Sequence, residues 1–109
     1  MSLENINKAK SLFYEGMEYL QENNYSNAEE KFLSALNLLP ERLSIVGNLF
    51  TIYFNTNNKD ELKNLLNKYK NYSSEKEILY GKAINFYFEE NFTESIKTCE
   101  QLLKFDEIK

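Results

Sequence analysis

The feature that most constrains the fold is the segment 9–42, AKSLFYEGMEYLQENNYSNAEEKFLSALNLLPER. Two small residues, Gly16 and Ala28, lie on either side of a polar Asn-Asn turn. Tyr19 follows the first and Phe32 the second, each at helical spacing. Small side chains let two antiparallel helices approach closely, while large rings fill the space beside them. The segment therefore predicts a tightly packed helix-turn-helix hairpin.

This hairpin resembles a tetratricopeptide repeat (TPR), whose pattern W-x2-L-G-x2-Y, A-x3-F, P spans about 34 residues. The matching positions are Gly16, Tyr19, Ala28, Phe32 and Pro40. Leu12 stands where the family has Trp, and Glu15 stands where it has Leu. The alternative is an unrelated helical hairpin with a similar apolar stripe.

Two weaker copies of the pattern follow the first. In the second copy Phe50 replaces the family's Gly and Leu62 replaces its Ala, which implies helices set further apart. In the third copy Ala83 and Ser95 take the two small positions. The resemblance implies an all-α fold, a TPR-like array of three helix-turn-helix repeats with six helices in a right-handed superhelix. It also implies a single domain over 1–109, with repeats at about 9–42, 43–75 and 76–109.

Polar residues just before the apolar runs predict where helices begin, because their side chains can accept hydrogen bonds from the first turn. The first helix is expected to cover about 4–22, and the second to end near Leu38. The expected caps are Ser2 for the first helix, Ser26 with Glu29 for the second and Asn58 with Glu61 for the fourth, while Ser73 and Ser74 are expected to start the third repeat.

Composition favours long helices and excludes several functions. The 109 residues include only 3 Gly and 1 Pro, too few for the turns of a β-rich fold. A net charge of -4 argues against non-specific nucleic-acid binding, which needs a basic surface. The chain has no His, which excludes Ser-His and Cys-His catalysis and most zinc sites. We therefore expect no enzymatic activity, no cofactor and no metal site.

The sequence also bears on location and on its single cysteine. No apolar run approaches the length of a membrane-spanning helix, and the first residues lack the apolar core of a signal peptide. We therefore expect a cytoplasmic protein without membrane insertion. Cys99 aligns with Phe32 of the first copy, so we expect a buried thiol.

The resemblance to tetratricopeptide repeats implies where a partner would bind. In that family the first helix of each repeat lines a concave groove that takes a peptide or helix from a partner protein. Transferred onto this chain, the groove would be aromatic and largely uncharged. The predicted groove residues are Phe13, Tyr14, Met17, Leu20, Ser44, Asn48, Thr51, Phe54, Asn55, Tyr80, Ile84, Tyr87 and Phe88. The alternative is that these aromatic rings pack only against each other.

One mode of recognition within the family is disfavoured. Members that hold the acidic C-terminus of chaperones place Lys and Asn in the first repeat and Lys and Arg in the third. Here Phe13 and Met17 occupy the two positions of the first repeat, and Glu77 and Gly81 occupy the two positions of the third repeat. Asn48 is the only residue that fits the pattern of those members. We therefore expect a partner other than a chaperone tail.

Self-association is the main alternative function. Ile96, Leu103 and Phe105 in the last helix correspond to positions that would contact a following repeat. An exposed apolar strip of this kind usually marks an interface. We expect a second copy to cover it in a two-fold dimer, or else a continuation of the chain to do so. A third, less favoured alternative is a carrier of an apolar small molecule.

Overall fold

The structure, a computed structural model, describes residues 2–107. Met1, Ile108 and Lys109 belong to the predicted domain but lie outside the described residues. The helices are α1 (Leu3–Gln21), α2 (Tyr25–Leu38), α3 (Leu43–Asn55), α4 (Lys59–Lys68), α5 (Lys76–Phe88) and α6 (Phe92–Glu107), with a 3-10 turn at Lys70–Tyr72. Over residues 2–107 the chain forms these six α-helices and no strand, which confirms the predicted fold class and number of helices.

The chain divides into two compact units, unit 1 (Met1–Ile52) and unit 2 (Tyr53–Lys109). Unit 1 holds α1, α2 and most of α3, while unit 2 holds the end of α3 and the later helices. The most extensive contacts between helices join α1 to α2 in unit 1 and α5 to α6 in unit 2. Each unit is therefore built around a pair of helices that are neighbours in the chain.

The helices α1, α3 and α5 each end in a turn of the same kind. Asn23, Asn57 and Glu90 lie in the left-handed region, with φ of 59°, 55° and 61°. In each turn the next residue is Asn, and its backbone N–H donates to the carbonyl five residues back. The three bonds are Asn24 to Tyr19 at 2.9 Å, Asn58 to Tyr53 at 2.8 Å and Asn91 to Phe86 at 2.9 Å. This pattern is the Schellman motif. Asn57 follows Asn23 by 34 residues and Glu90 follows Asn57 by 33, close to the interval between the sequence copies.

The start of α2 differs from the prediction. Asn24 is its N-cap, and the Asn24 side-chain oxygen accepts a hydrogen bond from the Asn27 N–H at 3.4 Å. The predicted Ser26 and Glu29 capping box is therefore wrong, since α2 begins at Tyr25 and Ser26 already lies in its first turn. The Schellman turn explains this, because the Asn that completes it is already placed to cap the following helix.

The other predicted helix starts have mixed outcomes. Ser2 caps α1 as predicted, accepting a hydrogen bond from the Asn5 N–H at 3.1 Å. Asn58 is at the N-cap of α4 but makes no side-chain capping bond. α5 begins at Lys76 behind an extended Glu75, so Ser73 and Ser74 lie in the preceding turn.

The core of unit 1 contains the close helix approach that the sequence predicts. Gly16 is buried, and a Cβ atom placed on it would lie 2.8 Å from Cε1 of Phe32, closer than carbon atoms normally pack. Phe32 itself is fully buried and packs edge-to-face on Phe13, with ring centroids 5.7 Å apart. Glu15 on α1 pairs with Lys31 on α2 at 3.7 Å. The hairpin is thus stabilised by the Phe32 ring, which packs directly against the α1 backbone at Gly16.

Unit 2 repeats this arrangement with different chemistry. Ala83 on α5 is buried, and its carbonyl accepts a hydrogen bond from the Ser95 hydroxyl of α6 at 2.9 Å. The two small positions of the third copy are therefore in contact, as the alignment predicts. Ile78 and Leu62 are fully buried and supply much of the apolar core of this unit.

The residue of α6 that faces the core lies one position before the residue that was predicted to do so. Cys99 is exposed and Thr98 is buried, so the expected burial of the Cys99 thiol is wrong. Thr98 can be buried at little cost because its hydroxyl donates to the Glu94 carbonyl at 2.8 Å. The prediction rested on the alignment of Cys99 with Phe32 of the first copy, and it did not include this local hydrogen bond.

Candidate functional site

Four aromatic rings form a group in unit 2, here called the aromatic cluster, of which three are exposed and Phe88 is half-buried: Phe54, Tyr87, Phe88 and Phe92. The Phe54 centroid lies 5.8 Å from that of Tyr87 and 6.1 Å from that of Phe88. Tyr87 also packs on Phe92 at 5.8 Å. Phe54, Tyr87 and Phe92 nevertheless remain 43%, 50% and 51% exposed. The rings therefore contact one another without forming a closed core.

Charged side chains border the aromatic cluster. The Lys59 ammonium lies 5.8 Å from the centroid of the Phe88 ring, a cation–π distance. An open pocket of about 300 Å³ at this place is lined by Asn57, Lys59, Tyr87, Phe88, Glu90 and Phe92. An apolar centre with a charged border is the arrangement found at protein-binding surfaces.

Unit 1 carries a second pocket, here called the cationic pocket, of about 280 Å³. Its walls are apolar and two basic side chains stand among them. The lining residues are Ile6, Ala9, Lys10, Phe13, Tyr14, Leu39, Arg42, Ser44 and Ile45. Phe13, Tyr14 and Ser44 are predicted groove residues, so the structure brings three of them together here.

The predicted polar stripe of α3 makes bonds within its own helix. The Asn48 amide donates to the Ser44 carbonyl at 3.0 Å, and the Thr51 hydroxyl donates to the Gly47 carbonyl at 3.3 Å. These donors are satisfied by the backbone, which leaves them less available to a partner than the spacing alone predicts. Ser44 and Asn55 are exposed.

The remaining predicted groove residues differ in exposure. Met17, Leu20 and Tyr80 are half-buried. Ile84 is only 7% exposed, so it belongs to the core of unit 2 and offers almost no surface to a ligand. The sequence does not distinguish this position because α5 has apolar residues nearly all round, and such a helix has no clear outer face.

The predicted self-association strip is exposed but not continuous. Ile96 and Leu103 are each 61% exposed and Phe105 is 39% exposed. At about 100° per residue, however, Phe105 lies about 180° around α6 from Ile96. The apolar stripe that α6 does present lies within about 60° of arc and comprises Phe92, Ile96, Cys99 and Leu103, the α6 stripe. Phe105 therefore does not belong with Ile96 and Leu103.

Arg42 and Phe92 are among the residues of these surfaces that the sequence did not predict. Arg42 lies in the turn before α3, where helical periodicity gives no signal, and only the fold brings it to the cationic pocket. Phe92 matches Tyr25 of the first copy, which predicts a residue packed into its turn. Tyr25 is half-buried and donates to the Asn23 side chain at 3.2 Å, whereas Phe92 has no hydroxyl and turns its ring to Tyr87.

Among the described residues, no three His, Cys, Asp or Glu side chains come together in a way that could hold a metal ion. No helix within residues 2–107 is both long enough and apolar enough to cross a bilayer. Comparison of the chain with protein-family models, with curated proteins and with solved structures finds no match.

Proposed function

We propose that this chain is a protein-interaction module that binds a peptide or helix of a partner through exposed aromatic side chains. The observation that carries the proposal is the aromatic cluster of unit 2. Its rings come from the end of α3, the end of α5 and the start of α6. Phe54, Tyr87 and Phe92 stay about half exposed while Tyr87 packs edge-to-face on the other two. Rings positioned in this way can bury against a partner with little loss of side-chain entropy.

The module proposed is a TPR-like array of three helix-turn-helix repeats in a right-handed superhelix. The three Schellman turns support it, because they recur at 34 and 33 residues and each is followed at once by a new helix. The seating of Phe32 on Gly16 supports the first repeat. The Ser95 to Ala83 hydrogen bond supports the third. The second copy, with its larger residues, remains the weakest.

The border of the aromatic cluster indicates the kind of partner. Lys59 and Glu90 border the rings with both signs of charge, so no single sign dominates. A partner segment should then be anchored by apolar side chains, with charge setting its orientation. Affinity at the aromatic cluster should depend only weakly on salt.

Selection from a displayed library of random peptides, followed by fluorescence anisotropy, tests this function. Phe54→Ala and Tyr87→Ala should each weaken a selected peptide about tenfold or more, because buried aromatic anchors commonly carry about 1–2 kcal/mol or more. Leu33→Ala is the matched control, since Leu33 is an equally exposed apolar residue on α2 of unit 1. A peptide whose affinity is the same for all three variants would overturn the proposal.

The α6 stripe favours a second candidate function, self-assembly as a homodimer. Its four residues are self-complementary in an antiparallel pairing, in which Phe92 meets Leu103 and Ile96 meets Cys99 of the other copy. Sedimentation equilibrium compares the wild type with a double variant, Ile96→Glu with Leu103→Glu. Leu3→Glu is the control, because Leu3 is at least as exposed but lies on α1. A wild type that stays monomeric at high micromolar concentration would rule out this candidate.

A further inference from the structure

The cationic pocket of unit 1 has a charge opposite to that of the chain. The protein has 13 basic and 17 acidic residues, yet the nine residues that line this pocket include Lys10, Arg42 and no acid. Lys10 stands on α1 one turn from Ile6 and one turn from Tyr14, which also line the pocket. Two positive charges are therefore held beside an apolar surface.

Among the described residues, neither cation forms an ion pair with an acidic side chain. In the part of the chain that the structure describes, the ion pairs are Lys31 with Glu15, Lys63 with Glu89 and Lys97 with Glu94, and none involves Lys10 or Arg42. Both side chains are exposed. An anion that reached this place would therefore meet two unpaired donors, one of them a guanidinium able to make two parallel hydrogen bonds.

The turn that carries Arg42 has a fixed backbone. The Arg42 N–H donates to the Leu39 carbonyl, and the Arg42 carbonyl accepts from the Ile45 N–H, both at 3.1 Å. Leu39 and Ile45 are themselves buried pocket walls. The guanidinium is thus attached to a hydrogen-bonded turn that directly adjoins apolar surface.

We propose that the cationic pocket binds a peptide segment in which an acidic residue stands next to an aromatic or large aliphatic one. The apolar side chain would lie against Phe13, Leu39 and Ile45, and the carboxylate would bridge Lys10 and Arg42. This inference rests on the proposed function as an interaction module, and it specifies one class of ligand in unit 1. It is separate from the aromatic cluster, whose border carries both signs of charge.

A peptide fits the pocket better than a free small-molecule acid does. Lys10, Tyr14, Arg42 and Ser44 are all exposed, so the pocket is open along one side. Sites for small molecules usually bury most of the ligand, which an open pocket of this size cannot do. A peptide needs only one or two side chains buried, and the exposed Ser44 hydroxyl is available to its backbone.

The lysine pair of unit 2 supplies a matched comparison. Lys63 and Lys70 line an open pocket together with Asn64, Leu66 and Asn67. This surface has two cations but only one apolar wall residue, and Lys63 is already close to Glu89. This surface should attract an acidic residue only weakly, and it should not bind an apolar side chain next to that residue in a peptide.

NMR titration of the ¹⁵N-labelled chain tests the proposal with two capped six-residue peptides. One carries adjacent Glu and Phe between Gly and Ser residues, and the other has Gln in place of Glu. The Glu peptide should shift the amides of Ala9 and Ile45 and should bind about five- to tenfold more tightly than the Gln peptide. Raising the KCl concentration should reduce that preference, because exposed charges are screened.

Charge-removing variants identify the groups responsible. Lys10→Gln and Arg42→Gln should each weaken the Glu peptide about two- to fivefold, and the double variant should bind both peptides equally. Lys63→Gln with Lys70→Gln removes the same charge elsewhere and should change nothing. Unchanged spectra of the free variants, away from the substitutions, verify that each remains folded.

Several results would overturn the inference. Equal binding of both peptides at Ala9 and Ile45 would reject the role of the carboxylate while leaving the interaction module intact. Absence of shifts in unit 1, or tight binding of decanoate with no binding of the peptide, would reject the peptide as ligand. The proposed function is tested independently by Phe54→Ala and Tyr87→Ala. The inference about the cationic pocket and the proposed function can therefore fail separately.

Discussion

At the scale of single residues, Gly16 is a position where the fold leaves no room for a side chain. Gly16→Ala would bring a methyl group to 2.8 Å from the fully buried Phe32 ring. Removing a helical glycine normally stabilises by about 1 kcal/mol, but overpacking typically costs about 1–3 kcal/mol. Because Phe13 packs on the Phe32 ring and restricts its movement, we expect overpacking to dominate and the variant to be less stable.

Urea unfolding followed by circular dichroism measures this change. Ser11→Ala on the exposed face of α1 is the control, and it should be neutral or slightly stabilising. If Gly16→Ala were as stable as this control or more so, the close approach of α1 and α2 would be wrong.

Glu90 is the second residue with a clear prediction. It has φ of 61°, where Asn23 and Asn57 stand in the other two turns. Asn tolerates this left-handed conformation better than Glu, so Glu90→Asn should raise the free energy of unfolding by about 0.5–1 kcal/mol. The reciprocal variant Asn57→Glu should lower it by a similar amount. Thermal melts that move both variants in the same direction would contradict the shared turn geometry.

At the scale of helices, the orientation of α6 can be tested through its thiol. Cys99 is exposed, so a disulfide reagent such as DTNB should react with the native chain nearly as fast as with the unfolded chain. Thr98→Cys combined with Cys99→Ser places the only thiol on the buried face and should react slowly. Slow reaction of the wild type together with fast reaction of this variant would instead support the orientation of α6 predicted from the sequence, in which Cys99 is buried.

The same helix shows how far sequence reasoning reaches. Apolar spacing and turn residues predicted the helices, because Asn23–Asn24 and Asn57–Asn58 interrupt strong helical patterns. The inward face of α6 was missed, since Thr98 satisfies its hydroxyl locally and can replace an apolar residue. On the candidate surfaces, Phe54 and Tyr87 were found from their register, whereas Arg42 was not, because it lies in a turn.

At the scale of the whole molecule, stability should come from apolar packing more than from charge. The three ion pairs among the described residues all join side chains that are partly or largely exposed. Exposed pairs of this kind contribute about 0–1 kcal/mol each and are screened by salt. The melting temperature should therefore change little between low and high NaCl. A fall of many degrees would reveal an electrostatic contribution that these pairs do not account for.

The three Schellman turns have a further consequence, which concerns folding rate. The first and the third turn close the hairpins α1–α2 and α5–α6, whose helices are adjacent in the chain, and these are the largest helix contacts of the two units. Chains dominated by such local contacts commonly fold in microseconds to milliseconds, because little loop entropy is lost before contacts form. A nascent chain could thus complete the hairpin of α1 and α2 before α5 and α6 had been synthesised, since ribosomes add only about 5–20 residues per second.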